Sequence, residues 1–127
     1  MTDLLTWAYM LNLTLLVLHE MDSAYWKEWN LFKLPGGVDS FLALHFPIIL
    51  AALYGLMILP EKTTTALAIS LILGLAGIGA LLIHSYFIKK GRKEFTTATS
   101  LIILGATAIA SLAQIILTAK EFGWLFF

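Results

Sequence analysis

The chain of 127 residues contains no cysteine, and only 13% of its residues are charged. The absence of cysteine excludes disulfides, iron–sulfur clusters, thiolate metal sites and thiol chemistry. A soluble domain carries about 25% charged residues, so this composition excludes an ordinary soluble enzyme, a disordered chain and a nucleic-acid-binding protein. The eight basic and eight acidic residues balance to a formal net charge of zero, so the overall charge indicates no partner.

The hydrophobic residues, which make up 60% of the chain and give a mean hydropathy of +0.89, are grouped in long apolar runs. A membrane-spanning helix needs roughly 20 mostly apolar residues. Four runs reach that length, over residues 4–21, 40–59, 64–88 and 96–119. Because the connections are short, consecutive helices are expected to be antiparallel neighbours. We therefore predict an all-α, integral membrane four-helix bundle forming a single domain over residues 1–127, with both termini on the same side.

The segment between the first two runs has a different character. Residues 22–33 mix aromatic and charged side chains and contain neither glycine nor proline. Such a segment is typical of a helix that lies along the membrane interface. We predict an interfacial helical segment here, either an extension of the first span or a separate helix, before the turn that leads into the second span.

The distribution of basic residues predicts the orientation. Cytoplasmic loops are enriched in Lys and Arg. Six basic residues fall in the loops after the first and third spans, and two fall on the opposite side: Lys27, Lys33, Lys89, Lys90, Arg92 and Lys93 against Lys62 and Lys120. The predicted location is therefore the plasma (inner) membrane with an N-out/C-out topology. The expected partners are membrane lipids, with a second copy of the chain as a further candidate.

The three histidines, His19, His45 and His84, belong to three different predicted spans. At 1.5 Å per residue, each lies within about 10 Å of the predicted cytoplasmic boundary. Glu20 and Asp22 accompany His19 at the end of the first span. Imidazole and carboxylate suit Zn²⁺ or Fe²⁺, and three protein ligands with an open position are typical of catalytic zinc.

We therefore predict a divalent-metal site, zinc or iron, with the three histidines as ligands. Glu20 or Asp22 would complete the ligand set or act as the catalytic general base on a metal-bound water. A site that opens near the cytoplasmic interface suits a lipid-like or amphipathic substrate.

Helical spacing indicates which faces turn inward. Small residues recur on one face of the third span, and small residues let membrane helices approach closely. This face consists of Ala66, Ser70, Gly74, Gly77, Leu81 and His84, so His84 is expected to face the bundle. The fourth span carries a polar face made of Ser100, Leu104, Thr107, Ser111, Gln114 and Thr118.

Other interpretations of the same residues remain open. Two of the histidines could be the axial ligands of a haem in an electron-transfer protein, with Gly74 and Gly77 making room for the ring. The chain also resembles small multidrug-type exporters in size and number of spans, so a transporter that works as an oligomer is another alternative. Finally, the chain could be a structural accessory subunit. Its histidines would then lie near the lipid headgroups and simply hydrogen-bond to their neighbours.

One stretch resembles a known family. His19-Glu20-Met21-Asp22 is followed by Trp26, Glu28-Trp29, Leu34-Pro35, and then His45 before Pro47. This pattern resembles a family of small uncharacterised bacterial membrane proteins with four spans and a His-Glu-x-Asp segment at the end of the first. The resemblance covers mainly the first half of the chain. It implies four helices and a bacterial inner-membrane location, and it supplies no reaction.

Overall fold

The computed structural model describes residues 3–124, which form five α-helices and no strand. The helices are α1 (Leu4–Tyr25), α2 (Glu28–Leu31), α3 (Gly37–Ile58), α4 (Thr64–Lys89) and α5 (Ala98–Glu121), with a 3-10 turn (Leu59–Glu61) after α3. All except α2 are long and apolar enough to cross a membrane. The predicted all-α class with four such helices is confirmed.

Side-chain caps define where three of the long helices begin. Asp3, Thr63 and Thr97 each accept a hydrogen bond from the backbone N–H three residues later, at 2.9, 3.2 and 3.1 Å. Such a cap satisfies one of the N–H groups that a helix start leaves without an intrahelical partner. The start of α3 instead follows Gly36, whose φ of 97° is a conformation that favours glycine.

The segment predicted to be interfacial divides in two. Its first residues continue α1 as far as Tyr25. Lys27 then adopts a left-handed φ of 55°, and the single turn α2 follows. A second left-handed residue, Lys33, lies directly after α2 and has a φ of 55°. The chain therefore folds back twice, and α2 is held across the end of the bundle between these two reversals.

The small residues of α4 allow α5 to pack closely against it. A Cβ atom at Gly77 would lie 1.8 Å from Ser111 Oγ, and one at Gly74 would lie 2.7 Å from Ile115 Cγ1. A Cβ at either position would displace the α5 side chain that it meets, so glycine permits this close approach. The space that was considered for a haem ring beside these glycines is thus filled by α5.

A hydrogen-bonded polar group lies at the centre of the bundle. Asn12 donates to Gln114 Oε1 at 2.8 Å and accepts from Ser111 Oγ at 3.0 Å. Gln114 in turn donates to the Ser70 carbonyl at 2.8 Å, and Ser70 shares a hydrogen bond of 2.8 Å with Thr118. These five side chains are fully buried. They join α1, α4 and α5 through polar contacts, as is common between membrane helices.

Contacts at the two ends establish that the long helices alternate in direction. At one end, Lys62 pairs with Asp3 and lies 3.8 Å from Glu121, so the start of α1, the end of α3 and the end of α5 meet there. At the other end, His19 and His84 are in contact. Of the long helices, α3 is the most exposed, and Tyr9 anchors it by donating a hydrogen bond of 2.6 Å to the Ala52 carbonyl.

Candidate metal centre

Two histidines from different helices meet inside one end of the bundle. His19 lies near the end of α1 and His84 near the end of α4. Each of the two residues is only 2% exposed. Their ring centroids are 4.8 Å apart, with an angle of 75° between the ring planes. The expectation that His84 faces the bundle agrees with this burial, and His19 faces it from the neighbouring helix.

Phe95 covers these two rings from the loop between α4 and α5. Its ring centroid lies 4.1 Å from that of His84 and 5.8 Å from that of His19, and the residue is 1% exposed. Phe95 has a φ of 67°, which is uncommon for an aromatic residue and costs on the order of 1–3 kcal/mol. The surrounding packing compensates for this strain. The left-handed backbone places the hydrophobic Phe95 ring so that it closes one side of the histidine pair.

Glu28 brings a carboxylate to the same place. One ligand atom from each of His19, Glu28 and His84 lies within 4.8 Å of the other two. The left-handed Lys27 turns α2 back across the bundle end, and Glu28 is the first residue of α2. Burial raises the pKa of the Glu28 carboxyl above its ordinary value, while the Ser23 hydroxyl and His45 act in the opposite direction.

The ligand atoms of His19, Glu28 and His84 fit a divalent cation. In the described part of the chain, the Nδ1 atoms of His19 and His84 and the Oε2 atom of Glu28 are buried without a hydrogen-bond partner. Leaving such atoms unpaired is costly, and a bound cation is one way to satisfy them. Ligands at about 2.1 Å from a tetrahedral zinc are roughly 3.4 Å apart, so two ligand atoms separated by 4.8 Å would need to approach each other by about 1.4 Å.

His45 lies beside this group and is paired with Glu20. His45 Nε2 and Glu20 Oε2 are 2.8 Å apart. His45 Nδ1 lies 2.7 Å from the Phe41 carbonyl, which can only accept, so Nδ1 carries a hydrogen. Nε2 of a neutral ring would then be an acceptor facing a carboxylate oxygen. A hydrogen on Nε2 or on the carboxyl group would turn this contact into a hydrogen bond.

Asp22 takes a different position from Glu20. The indole Nε1 of Trp26 donates to Asp22 Oδ1 at 3.1 Å. The other oxygen, Oδ2, is buried and has no hydrogen-bond partner among residues 3–124. Of the residues singled out in the sequence, the structure thus brings His19 and His84 together, pairs His45 with Glu20, and gives Asp22 an indole partner. The assignment of His45 as a metal ligand, and of Glu20 and Asp22 as catalytic groups, stays a prediction.

Comparison with known families places the chain in a family of unknown function. The model of a family described as "Family of unknown function (DUF6713)" matches residues 5–121. The chain belongs to this family. The matched range includes His19, Glu28, His45 and His84, and the expected resemblance to an uncharacterised family is confirmed. No curated protein and no solved structure matches the chain.

Two residues of this site, Glu28 and Phe95, were not singled out as site residues in the sequence. Glu28 follows the first predicted span by several positions, and Phe95 belongs to a basic loop. Both reach the site through left-handed backbone, at Lys27 for Glu28 and at Phe95 itself. Neither lysine nor phenylalanine favours that conformation, so the sequence carried no local signal for either reversal. The one available signal was the acidic residue in an otherwise aromatic interfacial segment.

Proposed function

We propose that this chain is an integral membrane protein that binds a divalent metal through His19, Glu28 and His84. The observation that carries the proposal is the convergence of three ligand atoms within 4.8 Å, contributed by α1, α2 and α4. Two imidazoles and one carboxylate form a ligand set found in zinc hydrolases and in non-haem iron proteins. Both metals therefore remain candidates, and the two differ in the geometry they prefer.

The haem alternative is less well supported by the same geometry. His19 and His84 are in ring-to-ring contact, with centroids 4.8 Å apart, so no porphyrin plane fits between them. The glycines that could have admitted a ring contact Ser111 and Ile115 instead. A bis-histidine haem would therefore need both the histidine pair and the α4–α5 contact to separate.

The Glu20–His45 pair supports a catalytic role for the metal group. Glu20 Oε2 and His45 Nε2 lie 2.8 Å apart, close enough to share a proton. A bound metal would supply Lewis acidity and an activated water. We propose that Glu20 and His45 accept or return a proton there, while Asp22 orients the end of α1 through its contact with Trp26. The proposed substrate is lipid-like or amphipathic, and the proposed location is the cytoplasmic side of a bacterial inner membrane.

Metal content of the purified protein tests this proposal. The chain is prepared with a purification tag free of histidine, stripped with a chelator, and dialysed against Zn²⁺ or Fe²⁺ under anaerobic conditions. We expect about one ion per chain, bound through deprotonated carboxylate and neutral imidazole. His19→Ala, His84→Ala and Glu28→Gln should each lower the metal content about tenfold or more, because each removes one of three ligands.

Two further variants sharpen this test. Glu61→Gln removes an exposed acid at the other end of the bundle and should retain full metal content. His45→Gln should also retain it if the ligands are His19, Glu28 and His84, whereas loss of metal in His45→Gln would restore the ligand set predicted from the sequence. Full metal content in all three ligand variants, with helicity unchanged, would refute the metal site.

A further inference from the structure

A cavity of about 410 Å³ adjoins the proposed metal group on the side of α2 and the first turns of α3. Its walls are mainly apolar and aromatic, and its two ionisable lining residues are Glu28 and His45. The remaining lining residues are Trp29, Phe32, Leu34, Pro35, Ser40, Phe41 and Leu44. Glu28 thus belongs both to the cavity wall and to the three-residue ligand group. Glu28 is the one member of the ligand group that lines this cavity, so a molecule bound there would approach the metal beside Glu28.

A second cavity, of about 220 Å³, has both members of the Glu20–His45 pair in its wall. It is formed between α1, α3 and α4, and its lining is apolar apart from Glu20 and His45. His45 therefore contributes to both cavities. His45 thus borders two apolar spaces, one near the end of the bundle and one deeper along the long helices. This arrangement suits a ligand with one polar group and an apolar chain.

We infer that the first cavity binds a single-chain amphiphile with a carboxylate head, such as a long-chain fatty acid. The inference rests on the proposed metal function and deepens it. A divalent ion with one carboxylate ligand and two neutral imidazoles carries a net charge of about +1, which is complementary to one carboxylate head. A carboxylate is itself a metal ligand for the open coordination position. The acyl chain would lie against Trp29, Phe32 and Leu44.

Trp29 provides a reporter inside the cavity. The full chain, loaded with Zn²⁺ in lipid nanodiscs, is titrated with a brominated long-chain fatty acid, because bromine quenches indole fluorescence on contact. The chain has four tryptophans, so a Trp29→Phe variant measures the quenching of the other three and is subtracted. We expect saturable quenching of Trp29, with apparent affinity on the order of tenfold or more weaker after the metal is removed. A brominated alkylamine of the same length should produce no saturable component.

Two substitutions test whether the quencher occupies this cavity. Ser40→Phe fills the cavity without altering a proposed metal ligand and should abolish saturable quenching while the zinc content stays unchanged. Ser40→Leu is the smaller version in case the first variant does not fold. Thr14→Phe is the matched control, because Thr14 lines a separate groove with Leu4 and Trp7 and should leave the titration unchanged.

The outcomes separate this inference from the proposed metal function. Full zinc content without saturable quenching by the fatty acid overturns the inference and leaves the metal site standing. Saturable quenching by the amine, or fatty-acid quenching that is equal with and without zinc, also overturns it. Absence of zinc binding in the wild-type chain overturns the metal function and, with it, the metal-dependent carboxylate site. Zinc-dependent fatty-acid quenching that Ser40→Phe or Ser40→Leu abolishes supports both.

Discussion

At the scale of single residues, Gln114 has the largest share of the central hydrogen bonds. Its side chain accepts from Asn12 at 2.8 Å and donates to the carbonyl and hydroxyl of Ser70 at 2.8 and 3.1 Å. Gln114→Leu leaves these groups buried without partners. We expect the free energy of unfolding to fall by about 2 kcal/mol, since single membrane hydrogen bonds contribute about 0.6 kcal/mol and unpaired buried groups cost more.

Unfolding in mixed detergent and SDS micelles measures this loss. Thr14→Val is the control, because Thr14 is exposed and its hydroxyl donates only to the Met10 carbonyl of its own helix. That control should change the unfolding free energy by less than about 0.5 kcal/mol. Equal losses in the two variants would mean that the central polar group contributes no specific stability.

Residue by residue, the sequence predicted the candidate site only in part. The common depth predicted for the three histidines came from helix length and from the rise per residue. The small-residue face of α4 correctly predicted that His84 faces the bundle. The companion carboxylate could not be predicted, because Glu28 reaches the histidines through the left-handed Lys27 and not through helical spacing. The pairing of His45 with Glu20 was also beyond the sequence, since adjacent helix positions such as 19 and 20 point about 100° apart and only tertiary packing decides which partner each one finds.

At the scale of elements, Gly77 and Gly79 of α4 offer a matched pair of substitutions. A Cβ at Gly77 would lie 1.8 Å from Ser111 Oγ and 3.2 Å from Thr107 Cγ2, whereas a Cβ at Gly79 meets nothing within 4 Å. Gly77→Ala should therefore lower the free energy of unfolding by about 1–3 kcal/mol by forcing α4 and α5 apart. Gly79→Ala should raise it by up to about 1 kcal/mol, because alanine is the better helix former.

The same micelle unfolding experiment compares the two variants. Adding Ser111→Ala to Gly77→Ala removes the nearest clashing atom. The double variant should therefore lose less unfolding free energy than the two single variants lose in sum. A strictly additive result would show that the close approach of α4 and α5 does not depend on this contact.

The four long helices were the most predictable elements, because their apolar runs are long and three of them begin at an Asp or Thr cap. The short α2 was harder to predict. A four-residue helix has no periodicity of its own, and its position follows from the reversals at Lys27 and Lys33. Tertiary contacts such as the Trp29–Phe41 ring pair, with centroids 5.6 Å apart, hold it in place.

At the scale of the whole molecule, apolar side chains face outward on all four long helices. Leu11, Leu50, Ile72 and Ile109 are each more than half exposed, one on each helix. Exposed apolar residues on every long helix, around a polar centre, are what a bundle surrounded by lipid requires. This surface is compatible with the lipid partners expected from the sequence, which stay a prediction, and the charges at its two ends bear on orientation.

The orientation can be tested because the chain has no cysteine of its own. The basic residues of the loops after α1 and α4 predict that this end is cytoplasmic, whereas Lys62 at the other end is paired with Asp3. Glu61→Cys and Thr96→Cys place one thiol at an exposed residue on each end. In intact bacterial cells with a permeabilised outer membrane, a membrane-impermeant maleimide should label Glu61→Cys at once and Thr96→Cys only after lysis. The reverse labelling would place the His19–Glu28–His84 group on the outer side, and the proposed cytoplasmic access of its ligand would then be wrong.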